Sequence, residues 1–251
     1  MNDEKRTFSQ IFTPPEGYYG QVCVCSAMSA DCTCVENILT VFSGGKTNNT
    51  RAFDGKPSFF LMLDKRHLFL NDLGIINGLC QLSPLTNGIW DKIKVQHAKV
   101  AVMQFGRNPY ETTSNNGKED LIWRYVVCTG NWTDASAKYQ IEMIWSEDVV
   151  SICKKQKKQR IADLMASANF LLDLKTLYSC SGSFWNKAQN MFDKIISFAK
   201  RNKGDSIETR FFSTLPELRR KEDKGTCILA HIEKNFLRSE ERRVGKECEG
   251  M

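Results

Sequence analysis

His97-Ala-Lys-Val-Ala-Val-Met-Gln-Phe105 sets a histidine and a lysine two residues apart at the mouth of an apolar run. Alternate side chains of an extended chain share a face, so an imidazole and an ammonium there can converge on one phosphate. The next apolar run, Leu121-Ile-Trp-Arg-Tyr-Val-Val-Cys128, reads as the partner strand and ends in Thr129-Gly-Asn-Trp-Thr133. Gly130 and Asn131 can therefore place a carboxamide beside the pair. Between the two runs lies a polar stretch, Gly106 to Asp120, longer than a hairpin needs. It reads as a surface excursion, because loops lengthen at small free-energy cost.

Outward from this hairpin, Tyr19 to Ser26 reads as a buried strand and Asp31 to Phe42 as a helix capped by Asp31. Ser58 to Leu63, Val95 to Phe105, Leu121 to Thr129 and Gln140 to Ser146 read as further strands. Several are apolar throughout, which suits a central sheet covered on both faces and places the chain in the α/β class. Beyond residue 150 the pattern turns helical. Lys158 to Tyr178 carries Ile161, Leu164, Met165, Ala168, Leu171 and Leu172 on one stripe, and Ser183 to Arg201 carries Trp185, Ala188, Phe192, Ile195, Ile196 and Ala199. Both stripes read as core faces. Phe42-Ser-Gly-Gly-Lys-Thr47 echoes a phosphate-binding loop but follows a helix and has Thr40 where that loop needs glycine. It reads as a helix stop with glycine in the left-handed conformation.

The ordered series HxK, strand, turn, strand and T-G-N-W-T, followed by Gln140-Ile-Glu-Met-Ile-Trp-Ser146, resembles the phospholipase D superfamily. Within it the series is most similar to the tyrosyl-DNA phosphodiesterase-like branch, where asparagine replaces the usual aspartate. The resemblance spans roughly residues 17 to 150, with its motif core in 95 to 146. It implies an α/β/α sandwich around a mixed sheet and metal-independent cleavage of phosphodiester bonds, with no cofactor. His97 would act as nucleophile or as general acid, Lys99 and Asn131 would hold the non-bridging oxygens, and Glu142 would orient the imidazole. Such enzymes use two HxK half-sites. Only His67, His97 and His231 exist here, and His231-Ile-Glu-Lys234 is off by one residue, which on a strand turns the lysine away. The expectation is therefore the first half of a two-motif phosphodiesterase acting on nucleic acid, inactive alone. The alternatives are a single-motif enzyme completed by a symmetric homodimer and a non-catalytic nucleic-acid-binding module.

The expected organisation is a half-site domain over 1–150, a helical region over 151–237 and a non-native tail over 238–251. Arg238-Ser-Glu-Glu-Arg-Arg-Val-Gly-Lys-Glu-Cys248 matches what a common sequencing adapter encodes in frame, so this tail is set aside from fold reasoning. The tail holds as many cations as anions, so the net charge of +6 belongs to the rest of the chain. That balance suits a polyanionic partner. Lys154-Lys-Gln-Lys-Lys-Gln-Arg160 offers Lys154, Lys155, Lys157, Lys158 and Arg160 as contacts to a nucleic-acid backbone, or simply a solvated helix start. The charged N-terminus and the lack of a long apolar run point to a cytoplasmic or nuclear protein with no membrane span. In that setting the ten cysteines, including Cys23-Val-Cys25 and Cys32-Thr-Cys34, read as buried thiols rather than disulfides or zinc ligands. The Asn131-Trp-Thr133 sequon reads as unused.

Overall fold

Six strands form one mixed sheet in the order β3-β2-β1-β5-β6-β7. They are β1 (Tyr18–Ala27), β2 (Phe59–Leu63), β3 (Leu79–Gln81), β5 (Val100–Arg107), β6 (Leu121–Cys128) and β7 (Ile144–Val150). β1, β2 and β3 run parallel, and β5, β6 and β7 continue as an antiparallel meander from β1. A two-residue strand β4 (Ser83–Pro84) pairs with β8 (Tyr178–Ser179) in a separate ladder. Among the described residues the helices are α1 (Cys32–Phe42), α2 (Asn48–Arg51), α3 (Asp134–Lys138), α4 (Lys158–Lys175) and α5 (Gly182–Arg201). This computed structural model describes residues 10–52, 58–67, 76–85, 95–107, 120–140, 142–153, 156–202 and 206–210. Lys154, Lys155, His231, the tail 238–251 and most of the 106–120 excursion lie outside them. The chain divides into two compact units, 1–207 and 208–251, and every element named here belongs to the first.

Strand alternation sorts the core into two layers. Cys23, Cys25 and Ala27 of β1, Phe59, Leu61 and Leu63 of β2, and Ala101, Met103 and Phe105 of β5 point to one face. There they pack with Val35, Ile38, Leu39 and Phe42 of α1. The opposite residues meet the two long helices: Phe60 stacks edge-on against Trp185, and Trp123 packs on Phe198. Ile161, Leu164, Ala168 and Leu171 of α4 are buried as the apolar stripe requires, whereas Met165 and Leu172 are only partly covered. α4 and α5 thus pack on the sheet within the same unit.

Local chemistry sets the element ends. Asp31 caps α1 by accepting from the Cys34 amide at 2.7 Å. The helix stops at Ser43, after which Gly44 and Gly45 adopt φ of 73° and 90°, a region that disfavours a Cβ. Several boundaries differ from the sequence reading: the helix expected over Lys158 to Tyr178 ends at Lys175, with Tyr178 in β8, and two strands start late. Val95 to Lys99 precedes the ladder, and the Gln96 amide is taken by the Asp64 carboxylate at 2.7 Å rather than by a neighbouring strand. Gln140 to Met143 likewise lies ahead of β7, since Gln140 closes α3 by accepting from the Ser136 hydroxyl at 2.9 Å. Among the described residues no helix is long and apolar enough to cross a membrane.

Candidate functional site

β1 and β2 both end at one edge of the sheet, and the antiparallel β5 begins there. The carboxyl edge of parallel strands is where chain crossovers leave a crevice for ligands in open α/β sheets. His97 and Lys99 enter β5 at this edge, with Cys128 at the end of β6 and Glu142 just ahead of β7. Residue parity puts them on the α1 side: Lys99 is in phase with Ala101, and Glu142 with Ile144, both of which pack in the α1-side cluster.

Lys99 is buried, at 5% exposure, while His97 is exposed. The Lys99 Nζ stands 2.9 Å from His97 Nε2 and 3.2 Å from Nδ1, so the ammonium rests against the imidazole and donates to whichever nitrogen carries the lone pair. The backbone around this lysine is clamped from both sides. The Ser26 hydroxyl donates to Ala98 O at 3.0 Å, and Cys128 N–H donates to Lys99 O at 3.0 Å. Burial pulls the Lys99 ammonium below the usual lysine range; the neighbouring Cys128 and Glu142 oppose this through space without bonding it. Burial likewise pushes the Cys128 thiol up to about 12, and its Sγ donates to Gly130 O at 3.3 Å.

The 129–134 turn is tied to the loop after β1. Asp31 N–H donates to Trp132 O, Trp132 N–H to Ser29 O, and the Trp132 indole to Ser26 O at 3.1 Å. Within this double loop the Asn131 Oδ1 accepts from Ser29 N–H at 3.3 Å, which leaves its Nδ2 as the end able to donate to an anion. Glu142 takes a partner other than the one the resemblance implied. Its carboxylate accepts from the Thr129 hydroxyl at 2.5 Å and lies over Gly130, where a Cβ would come within 2.9 Å of its Cγ. His97 bonds to Lys99 and not to Glu142. Glu142 therefore bonds Thr129 and stands near Lys99 as a negative charge, without a hydrogen bond to the imidazole.

Neither the scan of family models nor the searches of curated proteins and solved structures find a match to this chain.

The basic run lies elsewhere. Gln156 bonds to both the N–H and the carbonyl of Val150, at the end of β7 remote from Ile144. Lys157 and Lys158 are exposed at the start of α4, so about 20 Å of strand separates that end from Glu142. Arg160 is engaged by Glu147 at 3.3 Å. The sequence reading missed Asp64. It is buried at the end of β2, accepts from Gln96 N–H and from the Arg66 backbone and guanidinium, and so anchors the segment that carries His97. Burial acts to raise its carboxyl, but these bonds outweigh burial and hold it below the usual carboxylate range. No motif marks it; only the short spacing from an apolar strand to Asp64-Lys-Arg66 could have hinted at it. Among the described residues no cluster of three or more histidine, cysteine, aspartate or glutamate side chains could hold a metal ion.

Proposed function

We propose that these residues form one phosphate-binding half of a phosphodiesterase of the phospholipase D type, acting on nucleic acid. The observation that carries the reading is Lys99: a buried ammonium whose hydrogen-bond partner is an imidazole and not a carboxylate. Buried cations are normally neutralised by a paired anion, and one left without it is placed to receive an anion from outside. An entering phosphoryl group takes the Lys99 ammonium and the Asn131 Nδ2, and the displaced imidazole lone pair then faces phosphorus. In-line attack by His97 would form a phosphohistidine and expel the leaving alcohol, whose oxygen must be protonated by a group outside this half-site. Glu142 keeps the pocket from accumulating net positive charge in the free state.

The resemblance to paired-motif enzymes supports a division of labour in which this half binds and a second histidine–lysine set completes turnover. Tungstate, a tetrahedral oxyanion, tests the half-site directly. Titration followed by calorimetry is expected to show binding that falls at least tenfold in Lys99→Met and in His97→Ala, with Asn131→Ala intermediate. A thiol-independent, acid-labile adduct on His97 after incubation with an oligonucleotide carrying a 3′-nitrophenyl phosphodiester would establish the nucleophile. Tungstate binding that is undiminished by Lys99→Met would remove the proposal.

A further inference from the structure

Two thiols far apart in the chain meet outside this site. The Cys80 Sγ stands 3.6 Å from the Cys180 Sγ, across 100 positions of sequence. Independent ladders bring them there. Cys80 is the middle residue of β3, paired with Phe60 of β2, and Cys180 directly follows β8, whose Ser179 pairs with Ser83. β4 starts two residues after β3 ends, so both sulfurs sit where the edge of the large sheet meets the small ladder, just ahead of α5. Each is partly exposed, unlike Cys23 and Cys25, which are wholly enclosed in the core.

We propose that Cys80 and Cys180 are a redox modification site, closing to a reversible disulfide by exchange with a small-molecule disulfide. The sulfurs already stand 3.6 Å apart and need approach only to about 2.05 Å to bond. Burial, and then the neighbouring Cys180 sulfur, pushes the Cys80 thiol up to about 12, so Cys180 takes the first step. The Cys180 thiolate attacks one sulfur of the oxidant and releases one thiol, leaving a mixed disulfide on Cys180. Cys80 gives up its proton as its sulfur attacks the Cys180 Sγ, and the second thiol leaves. Overall, two protein thiols are oxidised and one external disulfide is reduced to two thiols. The bond would staple the three-residue edge strand β3 to the head of α5, the longest helix of the sheet's second face.

Oxidised glutathione tests the site in the intact chain. After incubation at fixed ratios of oxidised to reduced glutathione, free thiols are alkylated and the digest is read by mass spectrometry. A linked pair of peptides containing Cys80 and Cys180 is expected to rise with that ratio and to vanish on adding dithiothreitol. Cys80→Ser should stop the reaction at a glutathione adduct on Cys180, whereas Cys180→Ser should leave Cys80 unmodified. The exposed Cys153 reports that the reagent is competent. Glutathione on Cys153 without the linked pair, or a persistent adduct on Cys180 in the unaltered chain, would overturn the proposal; neither result depends on a variant folding.

Discussion

Lys99, just ahead of β5, and Arg124, inside β6, are both buried cations, and they are treated in opposite ways. Arg124, in β6, donates twice to Asp148 directly across on β7, at 2.6 and 2.9 Å. Its remaining guanidinium nitrogen donates to the carbonyls of Ile11 and Thr13, and the plane lies over the Phe105 ring at 5.0 Å. Every face of that charge is answered by the protein. Among the described residues Lys99 has one hydrogen-bonding neighbour, an imidazole, and a carboxylate held off on Thr129. The first arrangement closes a structure; the second is the one on which the proposed anion site rests.

Substitution separates the two roles. Arg124→Met should leave Asp148 and two carbonyls without their donor and lower stability by about 3–5 kcal/mol, the cost of breaking a buried pair from one side. Lys99→Met removes a buried charge that has no bonded carboxylate, so its stability should fall within about 1 kcal/mol of the parent or exceed it. Urea denaturation of both variants measures the difference. A Lys99→Met protein as damaged as Arg124→Met would show that Lys99 is structural and erase the contrast.

A smaller effect is expected where the site touches its own backbone. In Gly130→Ala the added methyl would meet the Glu142 side chain at 2.9–3.0 Å, so Glu142 must shift from its place over the turn. Overpacking of this kind costs about 1–3 kcal/mol, and a flexible carboxylate side chain yields at the lower end. Moving this negative charge should change tungstate affinity more than it changes the denaturation midpoint. Equal loss of both would mean that Gly130 only serves the fold.

Most of the sheet was legible because burial on both faces writes itself as apolar runs. Phe59–Leu63 and Leu121–Cys128 are such runs, and the Asp31 cap is a local side-chain signal that needs no tertiary help. β7 was read four residues early because its polar residues obscure it: Glu147 answers Tyr125 and Arg160, and Asp148 answers Arg124. Those charges are satisfied only by strands and helices brought in from elsewhere. β3, β4 and β8 are two or three residues long and exist only through non-local pairing, so no local pattern could announce them. α3 carried a signal that went unread, with Thr133 capping the Ser136 amide and Lys138 reaching back to Asp134 at 2.9 Å. Within the site, alternation along the chain foretold that His97 and Lys99 would meet. The bond from Thr129 to Glu142 depends on where β7 starts, which is the boundary the sequence obscured.

The smallest expected effect is a pH dependence that sets Lys99 apart from Arg124. Burial lowers the Lys99 ammonium from its ordinary 10.5, so in the window just below that value the unfolded chain binds a proton that the folded chain has released. Stability must then rise with pH across the window, and the penalty for burying the charge is fully present below it. Difference curves cancel the other titrations: parent minus Lys99→Met should slope upward between the lowered value and 10.5, whereas a lysine raised by a bonded carboxylate would be flat there and slope downward only above 10.5. Arginine stays protonated throughout this range, so Arg124→Met should show no slope of its own there. A flat difference curve for Lys99→Met would mean that solvent reaches the ammonium freely, and the proposed anion site would lose its physical basis.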